Sequence, residues 1–140
     1  NEVERHLARM TGRPVQLAPD AWRAQAAQEI AVRILHNLRN AYLTAKDLEM
    51  VRRVLDYLIA ANSAEPQYWR ERGLIHYREG RWVDAHYDLR RYLVRVGLLG
   101  TAAAPDEPGA MSGRLASASQ GDKRILEMHR EAGVMLSRIN

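Results

Sequence analysis

The amino-acid sequence predicts an all-α fold: about two helical hairpins in succession, preceded by an N-terminal helix and followed by a C-terminal capping helix. Three observations carry that expectation. Val32–Glu65 and Pro66–Leu99 echo one another with a period of 34 residues, placing Tyr42 and Leu48 opposite His76 and Trp82, and Leu55 opposite Leu89. Apolar residues recur at spacings of three and four, as they do along the buried face of a helix. In the second copy Gly73 and Ala85 are small where two helices must approach, whereas Trp69, Trp82 and Leu89 are bulky where the space between them must be filled.

Taken in order, residues 1–31 hold a short helix with Val3, Leu7 and Met10 on one face, a loop from Thr11 through Pro19, and the start of a long helix capped by Asp20. Trp22, Ala26, Ile30, Ile34, Leu38 and Tyr42 give that long helix its apolar stripe. Residues 32–99 are the two hairpins. In the first, Lys46 and Asp47 turn the chain into a helix carrying Val51, Leu55, Leu58 and Ile59, and Asn62, Ser63 and Pro66 mark the boundary. In the second, Gly80 separates a helix carrying Trp69, Gly73, Ile75 and Tyr77 from one carrying Trp82, Ala85, Leu89, Tyr92 and Leu93. Residues 100–121 are rich in Gly, Ala, Ser and Pro and read as a flexible insertion. Residues 122–140 form a last helix, capped by Asp122, whose Ile125, His129, Ala132, Leu136 and Ile139 cover the end of the stack.

A helix-turn-helix period of this length, with Trp69 at position 4, Gly73 at 8, Tyr77 at 12, Gly80 at 15 and Ala85 at 20, resembles the tetratricopeptide repeat. The first copy departs from it: Arg39, Lys46 and Val51 stand where the repeat prefers Gly, Gly and Ala, so its helices should sit further apart. The second copy carries Arg72 at position 7, where an apolar residue is usual. An arginine inside a hairpin needs a carboxylate, Asp88 by first choice and Asp56 by second, and the pair reads as a packing device. Trp69, Arg72, Gly73, Gly80, Ala85 and Asp88 are therefore the expected structural residues.

Longer runs point to a narrower resemblance. RILHNLRNAYL from Arg33, VLDYLIAANSAEP from Val54 and RERGLIHYREGRWVDAHYDLRRYL from Arg70 are similar to the C-terminal half of SirB-type transglutaminase-like proteins, and HLARMTGRPVQLAP from His6 resembles the joining segment. The resemblance implies a transglutaminase-like domain ahead of the repeats. The catalytic residues of such a domain have no matching positions here, so no catalytic role carries over.

Composition bounds the function. A chain of 140 residues suffices for one domain with a modest core. Entry at Asn1 straight into an amphipathic stretch is what a piece of a longer protein would show. The absence of cysteine removes disulfide and thiolate chemistry and suits a cytoplasmic setting, and no apolar run approaches a membrane span. The net charge of +4 invites a nucleic-acid reading, but Arg52, Arg53, Arg78, Arg81, Arg90, Arg91 and Arg95 are interleaved with Glu49, Asp56, Glu79, Asp84 and Asp88, as on a solvated helical face. His6, His36, His76, His86 and His129 never fall in a metal-binding spacing. No phosphate-cradling glycine loop or flanked serine nucleophile occurs; Ser112 and Ser117 lie in the insertion, and Glu71, Glu79 and Asp84 read as solvated. Neither a cofactor nor an enzymatic activity of this chain is expected.

What remains is a surface for partners. Positions 2, 5, 9 and 12 line the concave face of tetratricopeptide proteins, and the resemblance transfers them to Arg33, His36, Asn40 and Leu43, then to Gln67, Arg70, Leu74 and Tyr77, with Asn37 and Arg78 alongside. The expected groove is thus Arg33, His36, Asn37, Asn40, Arg70, Leu74, Tyr77 and Arg78, whose arginines suit an acidic side chain or a peptide carboxylate. A protein or peptide, the chain's own upstream domain included, is the expected occupant; the alternatives are homo-oligomerisation and, less favoured, nucleic acid. Tyr57, Tyr68, Tyr87 and Tyr92 read mostly as packing residues.

Overall fold

A computed structural model describes Arg5, Ala8, Arg9, Gly12 and residues 19–100 and 118–139. The chain divides into two compact units, Asn1–Asn37 and Leu38–Asn140. The face expected from Val3, Leu7 and Met10 lies outside the described residues, as does most of the expected insertion, residues 101–117.

Helix α1, Pro19–Thr44, runs from the first unit into the second. It begins at Pro19, so Asp20 is not its cap: proline's fixed φ suits the first helical turn, and Asp20 stands inside that turn as an acidic side chain. In the first unit Trp22, Ile30 and Ile34 are each more than half exposed. The expected stripe advances by four residues at every step and so winds around the helix instead of forming one buried face.

Among its described residues the second unit holds the last turns of α1 and four further helices: α2 (Leu48–Ala61), α3 (Pro66–Arg78), α4 (Trp82–Arg95) and α5 (Gln120–Ile139). The extensive packing is between α2 and α3, α3 and α4, and α4 and α5. Val51, Leu55 and Leu58 of α2, Leu89 and Leu93 of α4 and Ile125 of α5 are the largest fully buried apolar side chains, and Tyr68, Trp69 and Ile75 of α3 are buried as well. Burying such side chains contributes roughly 1.5–3 kcal/mol each. Val54 belongs to the same core, and Leu98 folds back onto it just past α4.

Three helices end in one way. At Lys46, Gly80 and Gly97 the backbone enters the left-handed region, at φ of 58°, 71° and 77°. The next amide donates five residues back, from Asp47 to Tyr42, Arg81 to His76 and Leu98 to Leu93, and satisfies a carbonyl the helix leaves unpaired. Lys46 thus occupies the glycine position of the repeat in a conformation that favours glycine. Asp47 then caps α2 by accepting from the Met50 amide.

The first hairpin also differs at position 8. A Cβ at Gly73 would stand 2.8 Å from Cδ2 of Leu89, so α3 and α4 meet as closely as a missing side chain allows. The corresponding Arg39 instead extends to Glu71 of α3, 3.1 Å away, and Leu38 and Leu43 stay 40% and 43% exposed. The Glu71 carboxylate is accordingly paired and partly covered, not solvated as expected.

The last helix starts at Gln120, ahead of the expected cap. Ser119 takes that role: its hydroxyl accepts from the Asp122 amide and donates to the Asp122 carboxylate. Among the tyrosines, Tyr68 and Tyr92 are buried, but Tyr57 and Tyr87 are largely exposed, which corrects the packing reading for those two.

Candidate functional site

Helix α3 presents different chemistry to its two sides. Towards α4 and α2 it sends Arg72, whose Nε and Nη2 donate to Asp88 at 2.7 and 2.9 Å while Nη1 donates to Asp56 at 2.8 Å. The bidentate partner Asp88 is 1% exposed, and its hydrogen bonds are the main cause that raises the Arg72 pKa further above its ordinary value. His76, one turn along, has Nε2 3.6 Å from the same carboxylate. Burial nevertheless lowers its pKa, favouring the neutral ring. Trp69 completes this side: its indole donates to the Ser63 carbonyl at 2.9 Å, and the Arg72 and Arg91 guanidinium groups stand 5.2 and 4.9 Å from its ring. This buried network fixes how two helices meet, and it leaves Nδ1 of His76 buried without a hydrogen-bond partner.

Towards α5, α3 sends Tyr77. With Gln120, Lys123, Arg124, Glu127, Met128 and Glu131 it lines a cavity of about 320 Å3, and its hydroxyl donates to the Glu131 carboxylate, which raises the tyrosine's pKa. Arg70 is close enough to Asp122 and Tyr92 to favour the charged form of both. Burial first, then the Asp122 carboxylate accepting at 2.5 Å, pushes Tyr92 up to about 12. Leu74 is partly buried, Arg78 and Asn40 are exposed, and Arg39 donates to the Asn40 side chain. Arg33 and Asn37 are exposed and His36 partly buried on the first unit's stretch of α1, so the eight expected groove residues do not come together within one unit. The α5 residues of the cavity were missed, because a helix read as a cap contributes no surface of its own.

Where α5 meets α4, the rings of His86 and His129 stack with centroids 4.2 Å apart and an interplanar angle of 17°. Burial, then His86 and Arg90, pushes His129 down to about 4. The unfolded chain therefore binds this proton more readily than the folded one, from the ordinary histidine value of about 6.5 downwards. Stability contributed by the neutral ring is present above about pH 6.5 and is lost as the pH falls towards 4. His129→Phe is expected to reduce the fall in melting temperature between pH 7 and pH 4.5, as read by circular dichroism. An unchanged fall would place the acid sensitivity elsewhere. Asp122, held low by Tyr92 and then Ser119, acts in a lower window.

Two α-hairpins of one period, ended alike and stacked in sequence order, are matched over residues 38–116 by the family model described as tetratricopeptide repeat. The chain belongs to the tetratricopeptide-repeat family. No curated protein and no solved structure matches it. In tetratricopeptide terms α3 and α4 are helices A and B of the second repeat, and the cavity at Tyr77 lies on the helix-A side. Tetratricopeptide repeats generally mediate protein–protein interaction. Among the described residues no three His, Asp or Glu side chains gather to hold a metal ion, and no helix is long and apolar enough to cross a membrane.

Proposed function

We propose that this chain is a noncatalytic interaction module, the helical-repeat part of a cytoplasmic SirB-type transglutaminase-like protein. Its helix-A side receives a protein segment, the upstream domain of the same protein being the first choice. The observation that carries this reading is the cavity between Tyr77 and α5, whose walls hold Lys123 and Arg124 together with Glu127 and Glu131. Such a mixture suits a polypeptide segment with both charges and backbone groups to satisfy, and Arg70 and Arg78 on α3 add donors for a carboxylate. The RxRG and DLxxYL elements, at Arg70–Gly73 and Asp88–Leu93, support the parentage.

The test is an affinity titration of the chain against a separately expressed SirB-type transglutaminase-like domain. The expected result is a dissociation constant in the micromolar range or below, weakened about tenfold or more by the Arg70→Ala, Arg78→Ala double variant, as for loss of one or two charge-assisted contacts. Helicity by circular dichroism checks that the variant is folded. Absence of binding would remove the upstream domain as occupant and leave an external partner.

A further inference from the structure

Helix α5 repeats the pattern of α3. Leu126–Asn140 follows Pro66–Gly80 at an offset of 60 residues and shares Arg130 with Arg70, Glu131 with Glu71, Gly133 with Gly73 and Arg138 with Arg78. The geometry repeats as well: Glu71 reaches back to Arg39 on α1, and Glu131 reaches back to Tyr77 on α3. Helix α5 is therefore built like the first helix of a third repeat.

In the second repeat, positions 4 and 8 of α3 face the helix that follows. Trp69 meets Tyr87 of α4 edge-on at 6.1 Å, and Gly73 lies against Leu89. The counterparts in α5, His129 and Gly133, line an open cavity of about 380 Å3 with Leu99, Leu126 and Val134. Its walls are chiefly apolar and Val134 is 46% exposed. Arg130 is the charged residue of α5 that lines this cavity, whereas the cavity at Tyr77 holds both signs. Arg90 of α4 acts on His129 with the same sign as His86, and no carboxylate lines the cavity.

We propose that this cavity seats an amphipathic helix of a partner protein, in the place of a third-repeat helix B, with its apolar face on Leu99, Leu126 and Val134 and carboxylates beside Arg130. A Cβ at Gly133 would stand 3.3 Å from Cε1 of His86, so this glycine serves the packing of α5 on α4, and His86 forms the α4 wall of the cavity. The sign of the charge argues against a second copy of α5 as occupant, since antiparallel pairing about Val134 would set Arg130 against Arg138. The surface is separate from the cavity at Tyr77 and stands whether or not the upstream domain binds there.

The probe is a fluorescein-labelled, helix-stabilised peptide with the sequence of α2, residues 48–61, carrying Arg52→Glu and Arg53→Glu; the unaltered α2 sequence is the control. Titration with the 140-residue chain is followed by anisotropy. Saturable binding of the acidic peptide is expected, about tenfold or more weaker for the arginine-containing control and for the chain variants Arg130→Glu and Val134→Glu. Both substituted positions are exposed, and unchanged melting temperatures would show both variants folded. No binding up to about 1 mM, or equal binding by the variants, overturns the proposal. A concentration-dependent dimer that Val134→Glu abolishes would also overturn it, by giving the seat to a second copy.

Discussion

Asp88→Ala is expected to destabilise the chain by about 3 kcal/mol, a large part of the 5–15 kcal/mol typical of a domain. The substitution removes both hydrogen bonds to Nε and Nη2 of Arg72, whose side chain is 17% exposed, and leaves a guanidinium in the interior with half its partners. Asp56 remains on Nη1, which keeps the loss at the lower end for a broken buried pair, although its side chain is 49% exposed and its attraction is weakened by water. Asp56→Ala alone should cost under about 1 kcal/mol for the same reason. The double variant Arg72→Leu, Asp88→Leu should regain most of the loss, because it removes the unpaired charge along with its partner. Urea unfolding at pH 7, followed by circular dichroism, orders the three. Equal effects of Asp88→Ala and Asp56→Ala would mean that the buried bond is no stronger than the exposed one.

Gly73→Val is expected to be comparably damaging, by about 3 kcal/mol, and for a steric reason. Besides Cδ2 of Leu89, the added Cβ would meet Cγ of Leu89 at 3.0 Å and Cβ of Asp88 at 3.1 Å. Leu89 is fully buried, so it has no free volume into which to rotate. Gly73→Ala separates the contributions: alanine favours a helix over glycine by about 1 kcal/mol, and a net loss despite this gain measures the overlap. If Gly73→Ala were instead stabilising, α3 and α4 would have to separate at little cost, and the Asp88 effect should then be small too.

Much of this arrangement is legible in the sequence because it follows from side-chain volume and period. The Gly73 approach and the pairing of Arg72 with Asp88 depend on neighbours within one hairpin, and the apolar stripe of α2 on the next hairpin, at a relative placement that a 34-residue repeat nearly dictates. Two kinds of feature were hidden. Lys46 in the left-handed region is set by the hydrogen bonds that close α1, and a lysine gives no local signal of them. The likeness of α5 to α3 was obscured by the stretch that separates it from α4. A 60-residue offset does not repeat at the 34-residue period, so the likeness of Arg130–Val134 to Arg70–Leu74 is missed when only that period is searched. The expected groove drew half its residues from α1, where Arg33, His36 and Asn37 fall in the other unit.

The packing of α2 on α3, α3 on α4 and α4 on α5 also sets how fast this architecture is reached. The α3–α4 hairpin closes through three residues, Glu79 to Arg81, so its contacts form without a long search, and chains dominated by such local contacts fold in microseconds to milliseconds. Among the described helices α5 arrives across a longer span, the chain between Arg95 and Gln120. The turn at Gly80 is therefore where the search for partners ends earliest, and a longer connection there would slow the closure of α3 on α4.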